Sequence, residues 1–224
     1  MSSVQKNLSE IYARIESAAT RCGRKASEIR LVAVSKTHPP ELIREAYEGG
    51  QLAFGESRVQ DALPKLDALP PGIEWHFIGH LQTNKIRKVV GRFALFHGVD
   101  NENLAVQINR IAGELGVTAN VLLEVNVSGE ESKFGFDPKT LPAALEVLLP
   151  LPFLRLQGLM TMAPLGLSAD ERRILFGECA ALAQELGLAE LSMGMSGDWP
   201  EAVAAGSTWG RLGSVLFGPK PCQG

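Results

Sequence analysis

The sequence predicts an α/β protein built as a single TIM-type (β/α)8 barrel with an extra N-terminal helix. Short apolar segments typical of strands alternate with amphipathic segments typical of helices along all 224 residues. Eight strand segments, seven helical segments between them and one leading helix match the element count of a barrel. Residues 31–34 and 121–125 are apolar with little alternation, which is typical of parallel strands buried on both faces.

The elements follow one another in a regular order. The leading helix covers residues 2–22, because Leu8, Ile11, Tyr12, Ile15 and Ala19 recur close to helical spacing. The predicted strands are residues 30–35, 52–54, 75–78, 94–97, 120–126, 154–160, 190–192 and 208–212. The predicted helices between them are residues 40–47, 57–66, 84–90, 101–115, 138–148, 169–186 and 200–205.

An open doubly wound sheet is the alternative architecture. A sheet of that kind binds dinucleotides with a glycine-rich turn after its first strand. The corresponding turn here, residues 35–40, reads SKTHPP and contains no glycine. No linker or low-complexity stretch divides the chain, so we expect residues 1–224 to form one domain.

Composition excludes several classes of protein. A net charge of −3 and a pI near 5.9 argue against a broad basic face for nucleic acid. No apolar run approaches the ~20 residues of a membrane span, and the N-terminus does not resemble a secretory signal. We therefore expect a cytoplasmic protein. Cys22, Cys179 and Cys222 are far apart and odd in number, which favours idle thiols over disulfides or a zinc site.

Lys36 is the first candidate functional residue, because it directly follows the first apolar strand. Working groups of such barrels sit where strands end at the carboxyl face. A partly desolvated lysine amine favours its neutral form and can form an imine with an aldehyde. A solvated lysine at a strand end is the alternative interpretation.

The segment after the third strand carries two histidines, His76 and His80. His76 falls inside a strand, so the two do not share a helical face, and no carboxylate stands nearby at ligand spacing. We expect no metal site here. His80 and Gln82 are better explained as polar residues lining the barrel mouth.

Glycine and serine residues follow the seventh and eighth strands. Ser196 and Gly197 precede a predicted helix start, with Asp198 and Glu201 spaced as a capping box. Gly213 and Ser214 precede a second short helix. Because barrels frequently bind phosphate with these two loops, we expect a phosphate site, although two ordinary turns would have similar sequences.

Arg211 lies within the last strand. A buried arginine needs a partner, because removing its charge from water is costly. It could face a phosphate or a ring nitrogen, or form a structural ion pair with an acid such as Glu124.

These segments together resemble the YggS/PROSC family of pyridoxal-5′-phosphate (PLP) homeostasis proteins over nearly the whole chain. The string WHFIGHLQTNK at residues 75–85 is the most specific part of the match. The other strings, in family order, are LVAVSKT (31–37), FGESRVQ (54–60), GLMTMA (158–163), LSMGMS (191–196) and RLGS (211–214).

The resemblance implies a PLP barrel of fold type III, similar to the N-terminal domain of alanine racemase. It implies that PLP is held as an imine on Lys36 and that Arg211 faces the pyridine nitrogen. An arginine there leaves the ring unprotonated and a poorer electron sink, which suits a PLP carrier better than an enzyme. The other cofactor-binding residues that it implies are Ser57, His80, Met160, Ser196, Gly197, Gly213 and Ser214.

Two positions depart from the family pattern. Ser57 stands where family members usually have asparagine, at a side chain that the resemblance places near the cofactor. Phe134 stands where a small residue often follows the lysine equivalent to Lys133. Lys133 is either a second aldehyde acceptor or, as we favour, a solvated loop lysine.

Three functions remain to be compared. The resemblance implies a PLP carrier without strong catalytic activity that contacts PLP-dependent apo-enzymes transiently. A site at an open barrel mouth in a single domain favours a monomer. An amino-acid racemase would need an acid-base group on each face of the imine. Alanine racemase takes its second base from another domain, which is not expected here, and Tyr12 and Tyr47 lie outside the mouth segments. A barrel enzyme for a phosphorylated metabolite would leave Lys36 unexplained.

Overall fold

The computed structural model describes residues 2–130 and 134–219. The predictions about Lys133 and Cys222 lie outside these residues. All structural statements below concern the described part of the chain.

Eight parallel strands close into a barrel, which confirms the predicted fold class. The strands pair in chain order, and β8 closes the barrel by pairing with β1 through four registered residue pairs. The strands are β1 Arg30–Val34, β2 Ala53–Glu56, β3 Glu74–Phe77, β4 Leu95–Val99, β5 Ala119–Glu124, β6 Leu154–Met160, β7 Glu190–Ser192 and β8 Trp209–Leu212.

Helices form the outer layer of the barrel, as expected for parallel strands joined by crossover connections. Short 3-10 turns at Ala26–Glu28 and Thr83–Lys85 supplement the α-helices. The helices are α1 Ser3–Arg21, α2 Pro40–Glu48, α3 Val59–Ala68, α4 Ile86–Val89, α5 Glu102–Leu115, α6 Leu141–Leu148, α7 Ala169–Glu185, α8 Trp199–Ala204 and α9 Ser214–Phe217.

The alternation of side chains along each strand divides the core into two parts. Phe54, Phe77 and Phe96 belong to the larger cluster, which also contains the buried faces of the helices. A smaller cluster contains strand residues alone and therefore fills the barrel interior. Its members are Val32, Ala53, Leu95, Leu122, Met160 and Trp209.

The leading helix α1 packs on the outside of the barrel against α2, α8 and α9. Ser2 and Gln5 form a capping box at its start, and each side chain accepts a hydrogen bond from the other residue's backbone N–H. Leu8, Ile11 and Ile15 are buried as the spacing predicts. Tyr12 is instead 42% exposed, and its hydroxyl donates to Gln51 Oε1 at 2.8 Å.

Some predicted boundaries were wrong by a few residues. The second strand runs over Ala53–Glu56 rather than 52–54, so it reaches two residues further towards the carboxyl face. The helix predicted at 84–90 is a 3-10 turn followed by one turn of α-helix, because Val90 has extended backbone and Gly91 has a φ of +82°. Among the described residues, none of the helices combines the length and apolarity needed to cross a membrane.

Candidate functional site

A cavity of about 340 Å³ opens at the carboxyl ends of β1, β7 and β8. This is the face where barrels of this architecture place their working groups. The cavity is lined by Val34, Lys36, His38, Ile78, Met162, Met195, Ser196, Gly197, Arg211, Gly213, Ser214 and Gly218.

Six of the nine predicted site residues line this cavity together. They are Lys36, Ser196, Gly197, Arg211, Gly213 and Ser214. Lys36 reaches the cavity from the first strand and the other five from the last two, which are neighbours because β8 pairs with β1. Residues separated by about 160 positions in the chain thus meet because the barrel closes.

The other three predicted residues lie nearby but outside this lining. Met160 is 1% exposed within the barrel interior, in a cluster on which the cavity residue Ile78 also packs. Ser57 follows β2 and Gly79 follows β3. A Cβ added to Gly79 would lie 2.4 Å from the carbonyl oxygen of Ser57, so the chain segments after these two strands are in contact. His80 is exposed and lies beyond Gly79.

The turn that carries Lys36 is held by a buried group of three polar side chains, Ser35, Glu56 and Lys65, here called the anchor cluster. Ser35 Oγ donates to Glu56 Oε1 at 2.7 Å, and Lys65 Nζ lies 2.7 Å from the same oxygen. Lys65 Nζ also donates to the carbonyl oxygen of Ser35 at 2.9 Å. Glu56 is fully buried and Lys65 is 8% exposed. The residue before Lys36 is therefore fixed to both β2 and α3.

The backbone directly after Lys36 is strained. Thr37 has a φ of +70°, and it is the one non-glycine residue in the described parts of the chain with a positive φ. A threonine in this conformation costs about 1–3 kcal/mol and persists where the surrounding structure holds it. The anchor cluster restrains the chain before Lys36. After Lys36, the amide of His38 donates to the Ser35 carbonyl at 3.1 Å and restrains the turn there.

Two serine hydroxyls face each other across the far wall of the cavity. Ser214 Oγ donates to Ser196 Oγ at 3.2 Å, which brings the loops after β7 and β8 together. A Cβ on Gly197 would meet no heavy atom within 4 Å, so open space lies in front of that backbone. Hydroxyls and accessible backbone in this arrangement suit a phosphate group.

The predicted capping box at Asp198 and Glu201 was wrong. Asp198 occupies the N-cap position of α8, but its side chain does not cap the helix. Its Oδ1 instead accepts a hydrogen bond from the Met195 amide at 2.6 Å, which tightens the loop carrying Ser196. The acid thus stabilises the loop geometry rather than the helix end.

Arg211 reaches the cavity from the barrel interior and is 5% exposed. Its Nη1 donates to the carbonyl oxygen and to Oγ of Ser192, at 2.7 and 2.5 Å, and its Nη2 donates to the Thr161 carbonyl at 3.0 Å. Burial lowers the pKa of the guanidinium to about 10, so it stays charged at neutral pH. Among the described residues Arg211 forms no direct salt bridge with Glu124, although the negative charges of Asp198 and Glu124 oppose the lowering of its pKa.

A second cavity of about 500 Å³ lies beside the first and shares Met162 and Met195 with it. Glu124 lines its wall, and burial together with the negative charge of Asp100 raises the pKa of this carboxyl group. His80 Nδ1 lies 2.7 Å from Asp100 Oδ2, and the His80 ring stacks on Phe134 at a centroid distance of 4.6 Å. His80 thus belongs to an acidic region next to the first cavity.

Sequence reasoning missed several residues of this region. His38 lines the cavity two positions after Lys36, and its ring lies 5.0 Å from that of Phe217. Burial and the charge of Lys65 lower the pKa of His38. The position of His38 in the turn after the first strand could have identified it as a residue of the barrel mouth. Met162 and Met195 form apolar walls, and nothing in their spacing distinguished them from core residues.

The cavity combines an amine, two hydroxyls and a fixed cation with apolar walls. A molecule with an anionic group at one end and a reactive carbonyl at the other matches this arrangement. In the described residues, no group of three or more His, Cys, Asp or Glu side chains could hold a metal ion.

Two buried histidines in the barrel interior predict a dependence of stability on pH. Burial lowers the pKa of His76 to about 3 and that of His97 well below the ordinary 6.5. The folded state therefore holds both neutral, whereas the unfolded chain protonates them below pH 6.5. Above pH 6.5 the two histidines do not change the free energy of unfolding with pH. Between pH 6.5 and about 3, each histidine lowers the free energy of unfolding by about 1.4 kcal/mol for every unit by which the pH decreases.

Urea unfolding between pH 7 and pH 4 measures this slope. In His76→Asn the slope should decrease by the contribution of one histidine. Equal slopes in the wild type and His76→Asn would contradict the assignment.

Comparison with known proteins agrees with the fold. The family model described as "Alanine racemase, N-terminal domain" matches residues 7–221, which defines the class of barrel. Alanine racemase of Clostridium difficile 630 shares this fold, with a TM-score of 0.73 at 16% identity, over 99% of this chain and 58% of its own.

Two more similar proteins define the family within this class. The pyridoxal phosphate homeostasis protein of Synechocystis sp. is 48% identical over 200 residues, 86% of this chain and 92% of its own length. The structure of PipY of Synechococcus elongatus PCC7942 with PLP bound is 43% identical, with a TM-score of 0.85, over 96% of this chain and 100% of its own. The chain belongs to the family of pyridoxal phosphate homeostasis proteins, so the resemblance found in the sequence is confirmed.

Proposed function

We propose that this chain binds PLP in the 340 Å³ cavity and takes part in intracellular PLP homeostasis, with Lys36 as the covalent attachment point. The observation that carries the proposal is that Lys36 and the serine-glycine loops after β7 and β8 line one cavity. PLP, when bound, supplies an aldehyde that forms a Schiff base with a primary amine. PipY, the relative solved with PLP, supports the same choice of ligand.

The residues present fit the two ends of this cofactor. Ser196, Gly197, Gly213 and Ser214 would hold the phosphate, because all four line the cavity, two of them carry hydroxyls and the backbone of Gly197 is open. Lys36 would hold the other end from the turn after β1, the strand that pairs with β8. The backbone of its turn is fixed by the anchor cluster.

The cofactor ring would lie between these ends. Arg211 would face the ring nitrogen as a hydrogen-bond donor that does not release its proton, because the guanidinium stays charged at neutral pH. We also propose contacts with Ser57, His80 and Met160, on the resemblance. Met160 would support the ring from the barrel interior, through the cluster on which the cavity residue Ile78 packs.

We further propose that the protein carries PLP and has no strong catalytic activity of its own. Tyr12 and Tyr47, the two tyrosines of the chain, lie away from the cavity: the hydroxyl of Tyr12 bonds Gln51 and that of Tyr47 lies against Gly72. Neither is placed as a second acid-base group. Curated relatives carry the name of homeostasis proteins, and transient contact with PLP-dependent apo-enzymes, a monomeric state and a cytoplasmic location fit this role.

An absorbance spectrum before and after borohydride reduction tests the proposal. We expect a visible band that bleaches, and pyridoxyl mass on the peptide that contains Lys36. Amino-acid turnover assays then separate a carrier from an enzyme. A protein that stays colourless after incubation with PLP would overturn the proposal and favour a barrel that binds a phosphorylated metabolite.

Removing one hydroxyl from the phosphate end should weaken PLP binding measurably. In Ser196→Ala we expect a loss of about 1.5–3 kcal/mol in binding free energy, the size of one hydrogen bond to a charged group. Equilibrium titration with PLP measures this loss, and Ser17→Ala, an exposed site on α1, is the control. Unchanged affinity in Ser196→Ala would remove Ser196 from the phosphate site.

A further inference from the structure

A chain of hydrogen bonds crosses the barrel interior from the cavity towards the opposite end of the strands. Arg211 Nη1 contacts Ser192 Oγ at 2.5 Å, and Ser192 Oγ lies 2.7 Å from His97 Nδ1. His97 Nε2 in turn lies 2.9 Å from His76 Nδ1. These residues belong to β8, β7, β4 and β3, and each is at most 5% exposed. The His76 ring packs on Trp209 at a centroid distance of 4.8 Å.

The number of protons that these groups can donate favours one direction for the chain of hydrogen bonds. A guanidinium can only donate, so Ser192 Oγ accepts from Arg211. The hydroxyl of Ser192 has one proton, and among the described residues its remaining partner is His97 Nδ1. If Ser192 donates to His97 Nδ1, then His97 carries its proton on Nε2 and donates to His76 Nδ1. The opposite direction would leave the buried hydroxyl proton without an acceptor, which is costly.

The contacts of Arg211 also restrict how its side chain can turn. Its partners are a hydroxyl and two carbonyl oxygens on β7 and at the end of β6, all of them neutral. The hydroxyl of Ser192 is the one side-chain partner, and His97 holds that hydroxyl in place. Its hydrogen-bond partners are neutral, and the negative charges of Asp198 and Glu124 act on the guanidinium without a direct salt bridge among the described residues.

We propose that Ser192 and His97 are positioning residues, which hold Arg211 towards the cavity through hydrogen bonds running in one direction from Arg211 to His76. The role of this chain in cofactor binding rests on the function proposed above. The direction of the chain and the restraint of Arg211 are properties of the protein without cofactor. The two parts can therefore be tested separately.

Nitrogen-15 NMR of the cofactor-free protein, labelled at arginine and histidine, tests the first part. We expect His76 and His97 as neutral Nε2–H tautomers and Arg211 with slow rotation of its guanidinium. Ser192→Ala should speed that rotation, and Ser192→Thr, which keeps the hydroxyl, should restore it. Ser207→Ala is the matched control, because Ser207 is also fully buried but bonds only backbone carbonyls. A proton on His97 Nδ1, or equal Arg211 spectra in wild type and Ser192→Ala, would overturn the proposal.

Titration with PLP tests the second part. Ser192→Ala should bind PLP about tenfold more weakly, the lower end of the range for a hydrogen bond to a charged group. Ser192→Thr should recover most of the affinity, and Ser207→Ala should keep it. Wild-type affinity in Ser192→Ala, with a changed Arg211 spectrum, would overturn the role in cofactor binding. A wild type that takes up no PLP would contradict the proposed function instead, and the cofactor-free spectra would still decide the first part.

Discussion

Lys36→Ala is expected to abolish the pyridoxyl adduct that borohydride fixes on the wild-type protein. Lys36 is the one lysine lining the cavity among the described residues. Lys65 is the buried lysine next to it, but its Nζ is already bonded to Glu56 and to the Ser35 carbonyl. The visible band should disappear, and peptide mapping after reduction should find no modified lysine. Phosphate contacts should leave some non-covalent PLP binding, which equilibrium dialysis can measure.

The control for this experiment is Lys88→Ala, an exposed lysine on α4 outside the cavity. That variant should form the adduct as the wild type does. If Lys36→Ala retains an equally strong adduct, another lysine carries the cofactor, and peptide mapping would identify it. Lys133 would be the first candidate, because the sequence marks it as a second possible aldehyde acceptor.

Lys65→Met is expected to lower the free energy of unfolding strongly, because it breaks the buried ion pair of the anchor cluster. It leaves the fully buried carboxylate of Glu56 with the Ser35 hydroxyl as its remaining partner among the described residues. Removing one member of a buried ion pair costs about 3–5 kcal/mol, because the other charge stays out of water without compensation. Urea unfolding at neutral pH measures this difference between the variant and the wild type.

A double variant separates the lost charge pair from the lost packing. Glu56→Gln combined with Lys65→Met removes both charges and keeps an oxygen that can accept from Ser35. We expect it to be more stable than Lys65→Met alone. Lys88→Met, the exposed control, should stay within about 0.5 kcal/mol of the wild type. If the single and double variants are destabilised equally, the Glu56 carboxylate does not need Lys65 to compensate its charge.

The barrel was predictable because its signals are local. Alternation of apolar strand segments and amphipathic helices depends on neighbours in sequence, and closure then follows from the strand count. The errors fell at boundaries such as Val90 and Gly91, where backbone conformation rather than apolar pattern ends the helix. They also fell on Asp198, whose spacing matched a capping box while its carboxylate bonds the Met195 amide.

The candidate site was predictable where its residues stand at strand ends. Lys36, Ser196 and Ser214 were identified because that position indicates the mouth of the barrel. The residues that support the site from behind could not be predicted, because their roles depend on contacts between strands that are distant in sequence. Lys65 reads as an ordinary helix lysine, and its burial follows from the approach of Glu56. His76 and His97 meet inside the barrel only because β3 and β4 are neighbours with matching side-chain orientation.

The pairing of β8 with β1 has a consequence for the biosynthesis of the protein. A ribosome makes Lys36 early and the Gly213–Ser214 loop about 180 residues later, yet both line one cavity. Between these two moments the nascent chain exposes the lysine without the loops that would hold a phosphate. If PLP binds at the proposed site, stable capture of the ligand would wait until the last strand has emerged and closed the barrel. Ligand uptake would then mark those molecules that have been translated through β8 and correctly folded.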